Sequence, residues 1–319
     1  MGNKSNDLGR AYEYAWIMVL RDALKKNGPA EIVKNSSLCA NQRAWETQSD
    51  TMRQTLKISA RAAVDTVISL EPFLLELRQD TVLLAPQADK IGIEGDVRDI
   101  LIQRRGRQWE IGLSIKHNYE TAKHSRLSPT IDFGQNWYGV ACSEQYWSDV
   151  NPVFARLQQE KKMERRWEEL SDKDEGIYAP IIEAFVQELS RAYQIDSGIS
   201  TRMMEYLIGI ADYYKITSED TKHMTLIRGF NIHDTLNQPH GLTAITVPYV
   251  ELPTEIIAIR KRPGKSNWAE VYMNNGWQIS FRIHNAKKFV ENSLKFDIRL
   301  VGVPENMLSI QCDWDFCAR

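Results

Sequence analysis

Residues 93–118 read IEGDVRDILIQRRGRQWEIGLSIKHN, with Asp99 at the head of an apolar run and Ser114 and Lys116 near the end of the next. An acid, a hydroxyl and an ammonium group so placed could surround one reacting centre. In the second arm Trp109, Ile111, Leu113 and Ile115 alternate with Glu110, Gly112, Ser114 and Lys116, the period of a strand with one polar face. The first arm, DILIQ, is short and rich in β-branched residues, and Arg105-Gly106-Arg107 supplies a turn between them. The two arms therefore read as a β-hairpin. A two-residue turn at Arg105-Gly106 sets Asp99 opposite Gly112, and a four-residue loop sets it opposite Ser114. Either register puts Asp99 on the Ser114 and Lys116 face. A three-residue loop would pair Asp99 with Leu113 and send its carboxylate to the other side, because a one-residue slip inverts every side chain.

In a strand Ser114 and Lys116 lie about 7 Å apart, with Asp99 roughly one cross-strand step away. A hard cation such as Mg2+ takes oxygen ligands, lowers the pKa of bound water and clamps a phosphate. A lysine beside it can orient the nucleophile or offset developing charge. A surface hairpin with ordinary polar residues fits the same pattern, and spacing alone does not separate the two.

An acid opening one strand and an acid-x-Lys on the next form the core of the PD-(D/E)xK nucleases, and Asp99 and Ser114-x-Lys116 stand at those positions. The phrases GDVRDILI, WEIGLSIKHN, AKHSRLS, DFGQNWYG, GWQISFRIHNA and SLKFDIRLVGVP, in that order, resemble the HaeIII-type restriction endonucleases, which cut GGCC. The resemblance runs along most of the chain. It implies an α/β fold, a PD-(D/E)xK nuclease core in which a mixed sheet is flanked by helices. It also implies Mg2+ as cofactor, double-stranded DNA as substrate, a cognate DNA methyltransferase and a prokaryotic cytoplasm. Asp99, Ser114 and Lys116 are the implied catalytic residues. The departure is Ser114, where the wider superfamily carries an acid.

A carboxylate for that gap has three sources. Glu110 is on the correct face but about 13 Å from Ser114 at strand rise, too far to share an ion directly. In NDLGRAYEYAWIMVLRDALKK the apolar positions Leu8, Tyr12, Ala15, Trp16, Val19 and Leu20 have helical spacing, with Asp7 as an N-cap. Glu13 adjoins that stripe, and a first-helix acid is what the superfamily resemblance implies, so Glu13 is favoured over Glu110 as the further catalytic and metal-binding acid. Glu120 is a third candidate, and Asp96 shapes the approach to Asp99.

The elements around the hairpin follow from periodicity. The middle of the chain is helical, through VFARLQQEKKMERRW and YAPIIEAFVQELSRAY with a break near 172–176, then STRMMEYLIGIADYY from Ser200. These helices are expected to buttress the catalytic sheet. From about Leu242 the composition turns to strands: TAITVPYVEL, EIIAIRKR, WAEVYMN, WQISFRIHNA and LKFDIRLVGVP, with Asn274-Asn275-Gly276 as a tight hairpin signal. The expected organisation is a catalytic core with a helical insertion over 1–240 and a β-rich C-terminal region over 241–319 that serves DNA recognition. In WQISFRIHNA, Gln278, Ser280, Arg282 and His284 share one face, and Asn285 follows. Such side chains read guanine edges or grip phosphates, and a solvated polar sheet face is the plain alternative. The residues expected at DNA are Arg105 and Arg107 on the hairpin tip, His117, Asn118, Lys123 and Arg126 after it, and Gln278, Arg282, His284 and Asn285.

Composition bounds the class. The chain has 319 residues, 43% of them hydrophobic, enough for one or two domains with a core. No apolar run approaches membrane-spanning length, and MGNKSNDLGR lacks a signal-peptide core, so a non-membrane intracellular protein is expected. The four cysteines, Cys39, Cys142, Cys312 and Cys317, are scattered and have no zinc-site spacing. The net charge of −2 is unlike a typical DNA binder, but phosphate contacts are local and the basic residues cluster. Asp132-Phe133-Gly134 lacks the companion motifs of a kinase, and Asn35-Ser36-Ser37 is a glycosylation sequon by letter only. The reading that follows is a Mg2+-dependent type II restriction endonuclease. A repair or structure-selective nuclease of the same superfamily, and a catalytically dead DNA-binding protein, are the alternatives. Two-fold symmetry would suit a palindromic target, while a monomer acting strand by strand needs no dimer.

Overall fold

The computed structural model describes residues 4–76, 80–88, 95–118 and 121–315, with only the backbone at 4–6, 105, 121, 123 and 124. Two compact units interleave along the chain. One comprises 1–120, 210–250 and 306–319, the other 121–209 and 251–305. The chain thus crosses between units at four points, whereas the sequence reading placed one change of composition at 240/241.

The first unit is built on a seven-stranded mixed sheet: β1 (Ala30–Ile32), β2 (Val82–Pro86), β3 (Ile100–Arg104), β4 (Trp109–His117), β6 (Tyr213–Glu219), β7 (Met224–Phe230) and β12 (Ser309–Asp313), hydrogen-bonded in that order. β1 and β2 are parallel, as are β4 and β6, and the remaining neighbours are antiparallel. Helices α1 (Lys4–Leu24) and α3 (Asp50–Leu70) join the core of this unit. Their stripes, including Tyr12, Trp16, Leu20, Ala60, Ala63 and Val67, pack with Ile100, Ile102, Ile111, Leu113, Ile115, Tyr214, Ile216 and Ile227. That packing decides which face of each strand is apolar. α2 (Ser36–Glu46) is opened by Asn35, whose Oδ1 accepts from Leu38 N at 2.9 Å; the sequon asparagine is a helix cap. The short α4 (Pro72–Leu75) follows α3.

The second unit is a five-stranded antiparallel sheet in the order β5 (Thr121–Leu127), β11 (Leu294–Gly302), β10 (Gln278–His284), β9 (Trp268–Met273), β8 (Ile256–Lys261). Helices α5 (Phe133–Tyr138), α6 (Glu144–Lys162), α7 (Ala179–Ile195) and α8 (Ile199–Ile208) belong to it. Its core is aromatic: Trp137 stacks on Phe281 and Phe296 with ring centres 6.0 and 5.8 Å away, and Phe185 meets the same two rings. Asp132 caps α5, Phe133 is core, and a Cβ on Gly134 would sit 2.4 Å from Val140 O, so this Asp-Phe-Gly is a helix entrance.

Several sequence expectations are corrected. The middle helices lie in the unit of the five-stranded sheet; in the unit of the Asp99 hairpin α1 and α3 cover the seven-stranded one. TAITVPYVEL forms no strand, and the helix begun at Ser200 stops at Ile208, so that Tyr213 and Tyr214 open β6. Gly209 ends the helix with φ at 100°, a conformation that suits glycine. Asp7 lies in the first turn of α1 and does not cap it. Asn275 and Gly276, with φ of 57° and 81°, make the β9–β10 turn that the Asn-Gly pair predicts. Among the described residues no helix is long and apolar enough to cross a membrane.

Candidate active site

The turn length that sequence left open is four residues. Arg104 pairs with Trp109 and Ile100 with Leu113, leaving 105–108 as the loop, with Gln108 at a φ of 53°. Asp99 N donates to Leu113 O at 2.7 Å, which continues the ladder by one residue and sets Asp99 opposite Ser114. Because Ile111, Leu113 and Ile115 are buried against the helices, Ser114 and Lys116 point to the other face.

Three donors converge on one oxygen there. Asp99 Oδ2 accepts from Ile115 N at 2.6 Å, Lys116 Nζ at 2.9 Å and Ser114 Oγ at 3.3 Å. The carboxylate is therefore oriented by the adjacent strand, and among the described residues Oδ1 is left for a further ligand. The side chains of Asp99 and Lys116 are 21% and 33% exposed, open enough to meet a substrate. Burial, and after it the negative charge of Asp99, raises the Tyr213 phenol well above its ordinary range, which marks Tyr213 as a neighbour of the carboxylate.

The two acids proposed to join Asp99 are differently placed. Glu110 accepts from Arg98 Nη1 at 2.9 Å and from Gln103 Nε2 at 2.6 Å. Arg98 also bonds Asp96, at 2.7 Å from Nη2 to Oδ2. Burial works to raise the Asp96 carboxyl, but its hydrogen bonds, led by that from Arg98, outweigh this and hold it below its ordinary value. The arginine lies over Gly112 so closely that a Cβ there would meet Arg98 Cδ at 1.9 Å. Glu13 is on α1, the helix on the apolar side of the sheet, and its Oε2 accepts from Asn41 Nδ2 at 2.9 Å. Its neighbour Tyr12 meets the ring of His117 edge-on at 5.7 Å, so this part of α1 lies by the end of β4 that carries Lys116. Glu120 lies outside the described residues, and among those described no three His, Cys, Asp or Glu side chains are grouped to hold a metal ion.

The residues expected at DNA have the following positions. Arg107 lies over the Phe73 ring at 4.2 Å, with Nη2 3.1 Å from Glu76 Oε2, and the side chain of Arg105 is outside the described set. Both are at the hairpin tip, roughly 20 Å from Asp99 at strand rise. His117 is buried with Nε2 3.1 Å from Asp220 Oδ2, and Asn118 accepts from Asp220 N at 2.8 Å, so both close the end of β4 onto the segment after β6. Lys123 is on β5, its side chain outside the described set, and Arg126 donates to Ser293 Oγ at 2.7 Å. On β10 the alternation holds: Ile279, Phe281 and Ile283 are in the core, while Gln278, Arg282 and His284 are part-exposed. The Arg282 guanidinium lies over Trp268 at 5.6 Å, His284 Nε2 is 2.7 Å from Asp297 Oδ2, and Asn285 Oδ1 accepts from Tyr178 at 3.4 Å.

Sequence reasoning missed the strand beside the hairpin. β6 sets Lys215 next to Ser114 and Thr217 next to Lys116 in parallel register. The signal was present, since Tyr214 and Ile216 alternate with Lys215 and Thr217, but it was absorbed into the end of a helix.

An acid–lysine pair on the polar face of a mixed sheet, with helices on its apolar face, can support hydrolysis of a charged ester. The chain belongs to the HaeIII restriction endonuclease family, whose sequence model matches residues 9–304. The type II restriction enzyme HaeIII of Haemophilus aegyptius is 44% identical to it over 318 residues, 99% of this chain and 100% of that protein. The protein is thus a type II restriction endonuclease, an enzyme that cleaves DNA. No solved structure matches the chain.

Proposed function

We propose that this enzyme hydrolyses both strands of DNA within GGCC, with Mg2+, at a PD-(D/E)xK site formed by Asp99, Ser114 and Lys116. The observation that carries the reading is the convergence of Ser114, Ile115 N and Lys116 on a single oxygen of Asp99. The donor set fits a hard cation: Mg2+ keeps several waters and needs only one or two carboxylates plus substrate phosphate, and Asp99 offers Oδ1. When bound it would supply charge stabilisation and a more acidic water. Glu13, on α1 near the end of β4, is the acid proposed to complete the set, as the resemblance implies.

The chain's own groups then divide the work. Lys116, ordered by Asp99, holds the attacking water in line with the phosphorus, and the ester bond to the 3′ oxygen breaks, leaving a 5′-phosphate and a 3′-hydroxyl. Ser114 steadies Asp99 and adds no charge. Gln278, Arg282, His284 and Asn285 are proposed to read or grip DNA, with Arg105, Arg107, Lys123 and Arg126 as phosphate contacts. His117 and Asn118 serve DNA binding by shaping the end of β4, since their polar atoms are engaged by the segment at Asp220. A matching GGCC methyltransferase in the same prokaryotic cytoplasm would protect the host, as family membership suggests. The test is digestion of a plasmid with Mg2+ or with EDTA, followed by sequencing of the ends. Cleavage only with metal and only within GGCC is expected; cutting without a fixed sequence would instead indicate a repair nuclease, and none with either would indicate a DNA-binding protein without catalysis.

A further inference from the structure

We propose that Lys215, backed by Arg228, is the cation that holds the phosphate being cut. This rests on Asp99 and Lys116 being the active site. The strand registers carry it. Ser114 pairs laterally with Lys215, and Lys215 with Arg228, so Asp99, Ser114, Lys215 and Arg228 form one row across β3, β4, β6 and β7. Laterally paired residues share a face, and Tyr214, Ile216 and Ile227 on the opposite face are core. With strands about 4.8 Å apart, Lys215 starts one step from Ser114 and two from Asp99.

The row explains a serine where related nucleases carry an acid. A carboxylate at 114 would lie between Asp99 and Lys215, repelling the first and neutralising the second. Serine adds no charge between them. The row therefore sets two basic side chains, Lys215 and Arg228, on the face of Asp99 and Ser114, and such groups are the usual partners of a phosphate. Lys215 is buried, whereas the side chain of Lys116 is one-third exposed. Both Lys215 and Arg228 have partners within the folded chain, which keeps them ordered before substrate arrives. A preorganised cation of this kind opposes the charge that grows on the non-bridging oxygens in the transition state.

The experiment compares Lys215→Met, Lys215→Arg, Arg228→Ala and Asp99→Ala with the wild type. Single-turnover cleavage of a short GGCC duplex is measured in Mg2+, binding of that duplex in Ca2+, and thermal unfolding without DNA. Lys215→Met should cut about 10²–10³-fold more slowly with little change in duplex affinity, and Lys215→Arg should recover at least about tenfold of that loss. Arg228→Ala should lose about tenfold. Wild-type cutting by Lys215→Met overturns the proposal, as does equal loss in the Met and Arg variants accompanied by equally lowered thermal stability. If Lys215→Met does not fold, Lys215→Arg and Arg228→Ala decide: wild-type rates in both overturn the proposal, and reduced rates in folded variants support it. Asp99→Ala separates the two levels. If it is inactive while Lys215→Met is fully active, only the role of Lys215 falls; if it cuts normally, the site itself lies elsewhere.

Discussion

The two sheets solve the same packing problem and leave different chemistry behind. Each has an apolar face in a buried core and a polar face opposite it. In the seven-stranded sheet the polar face around β4 collects Asp99, Lys116 and Lys215, brought together by a parallel pairing between residues about one hundred apart in sequence. In the five-stranded sheet every pairing is antiparallel, and the polar residues of β10 meet complementary neighbours: Arg282 pairs across with Asp297 and Trp268, and His284 with Lys295. Asp297 accepts from His284 at 2.7 Å and lies 3.4 Å from Lys295. Both Asp99 and Asp297 thus meet basic side chains on a sheet. Among the described residues Asp99 keeps Oδ1 open while a lysine, a hydroxyl and a backbone N–H meet Oδ2, whereas both Asp297 oxygens are engaged. The difference is that the Asp99 carboxylate retains an oxygen for a further ligand, which is what the proposed reaction there requires.

The largest effect expected from this contrast is at Asp99 and Lys116. Alanine at either should reduce cleavage by at least about 10³-fold with the fold retained, because neither is on the apolar face, and DNA binding should survive in at least one variant. A gel assay beside circular dichroism checks both, and wild-type cutting by both variants would sink the site. Next comes the pair of glutamates. Glu13→Gln should lose activity and its Mg2+ response by about 10²-fold or more, while Glu110→Gln, whose acid is held by Arg98, should keep most of both. The reverse result would move the third acid onto the strand.

A smaller effect is expected in the other sheet. Arg282→Ala should weaken binding to GGCC duplex by ~1–3 kcal/mol and barely change binding to scrambled duplex, if the arginine reads a guanine edge. Titrations with Ca2+ at two salt concentrations check this. Equal losses on both duplexes with a shallower salt dependence would make it a phosphate contact. Loss on neither would leave the face solvated.

The smallest expected effect concerns stability alone. Glu71 is buried with Oε1 accepting from Tyr214 at 2.6 Å and Asn237 N at 2.9 Å, and burial pushes its carboxyl up to about 7 from 4.5. The folded state therefore holds this proton more tightly than the unfolded chain. The contribution is fully present below about 4.5 and is lost as pH rises through about 7. Glu71→Gln should flatten that part of the pH dependence between pH 5 and pH 8, read as urea midpoints of the two proteins. Parallel curves for wild type and variant would show that Glu71 does not titrate in that window.

The hairpin was legible because its signals are local. Alternation in 109–116 named the polar face, β10 was readable for the same reason, and Asn275-Gly276 announced a turn that only residues tolerant of positive φ adopt. β6 was hidden because it follows a helix with only a short break, and periodicity over so few residues does not say where 3.6 gives way to 2. TAITVPYVEL misled for the opposite reason: β-branched residues suit a strand, but no sheet edge takes them up.

By itself the sequence determined the family, the acid–lysine pair and the polarity of individual strands, all of which depend on residue type and short spacing. Only the tertiary structure decided the register that sets Asp99 opposite Ser114, the separation of the helical middle from the catalytic sheet, and the arrival of Lys215 beside Ser114. Those depend on which strands pair, and pairing across a long connection is set by burial of a shared core that no local pattern encodes.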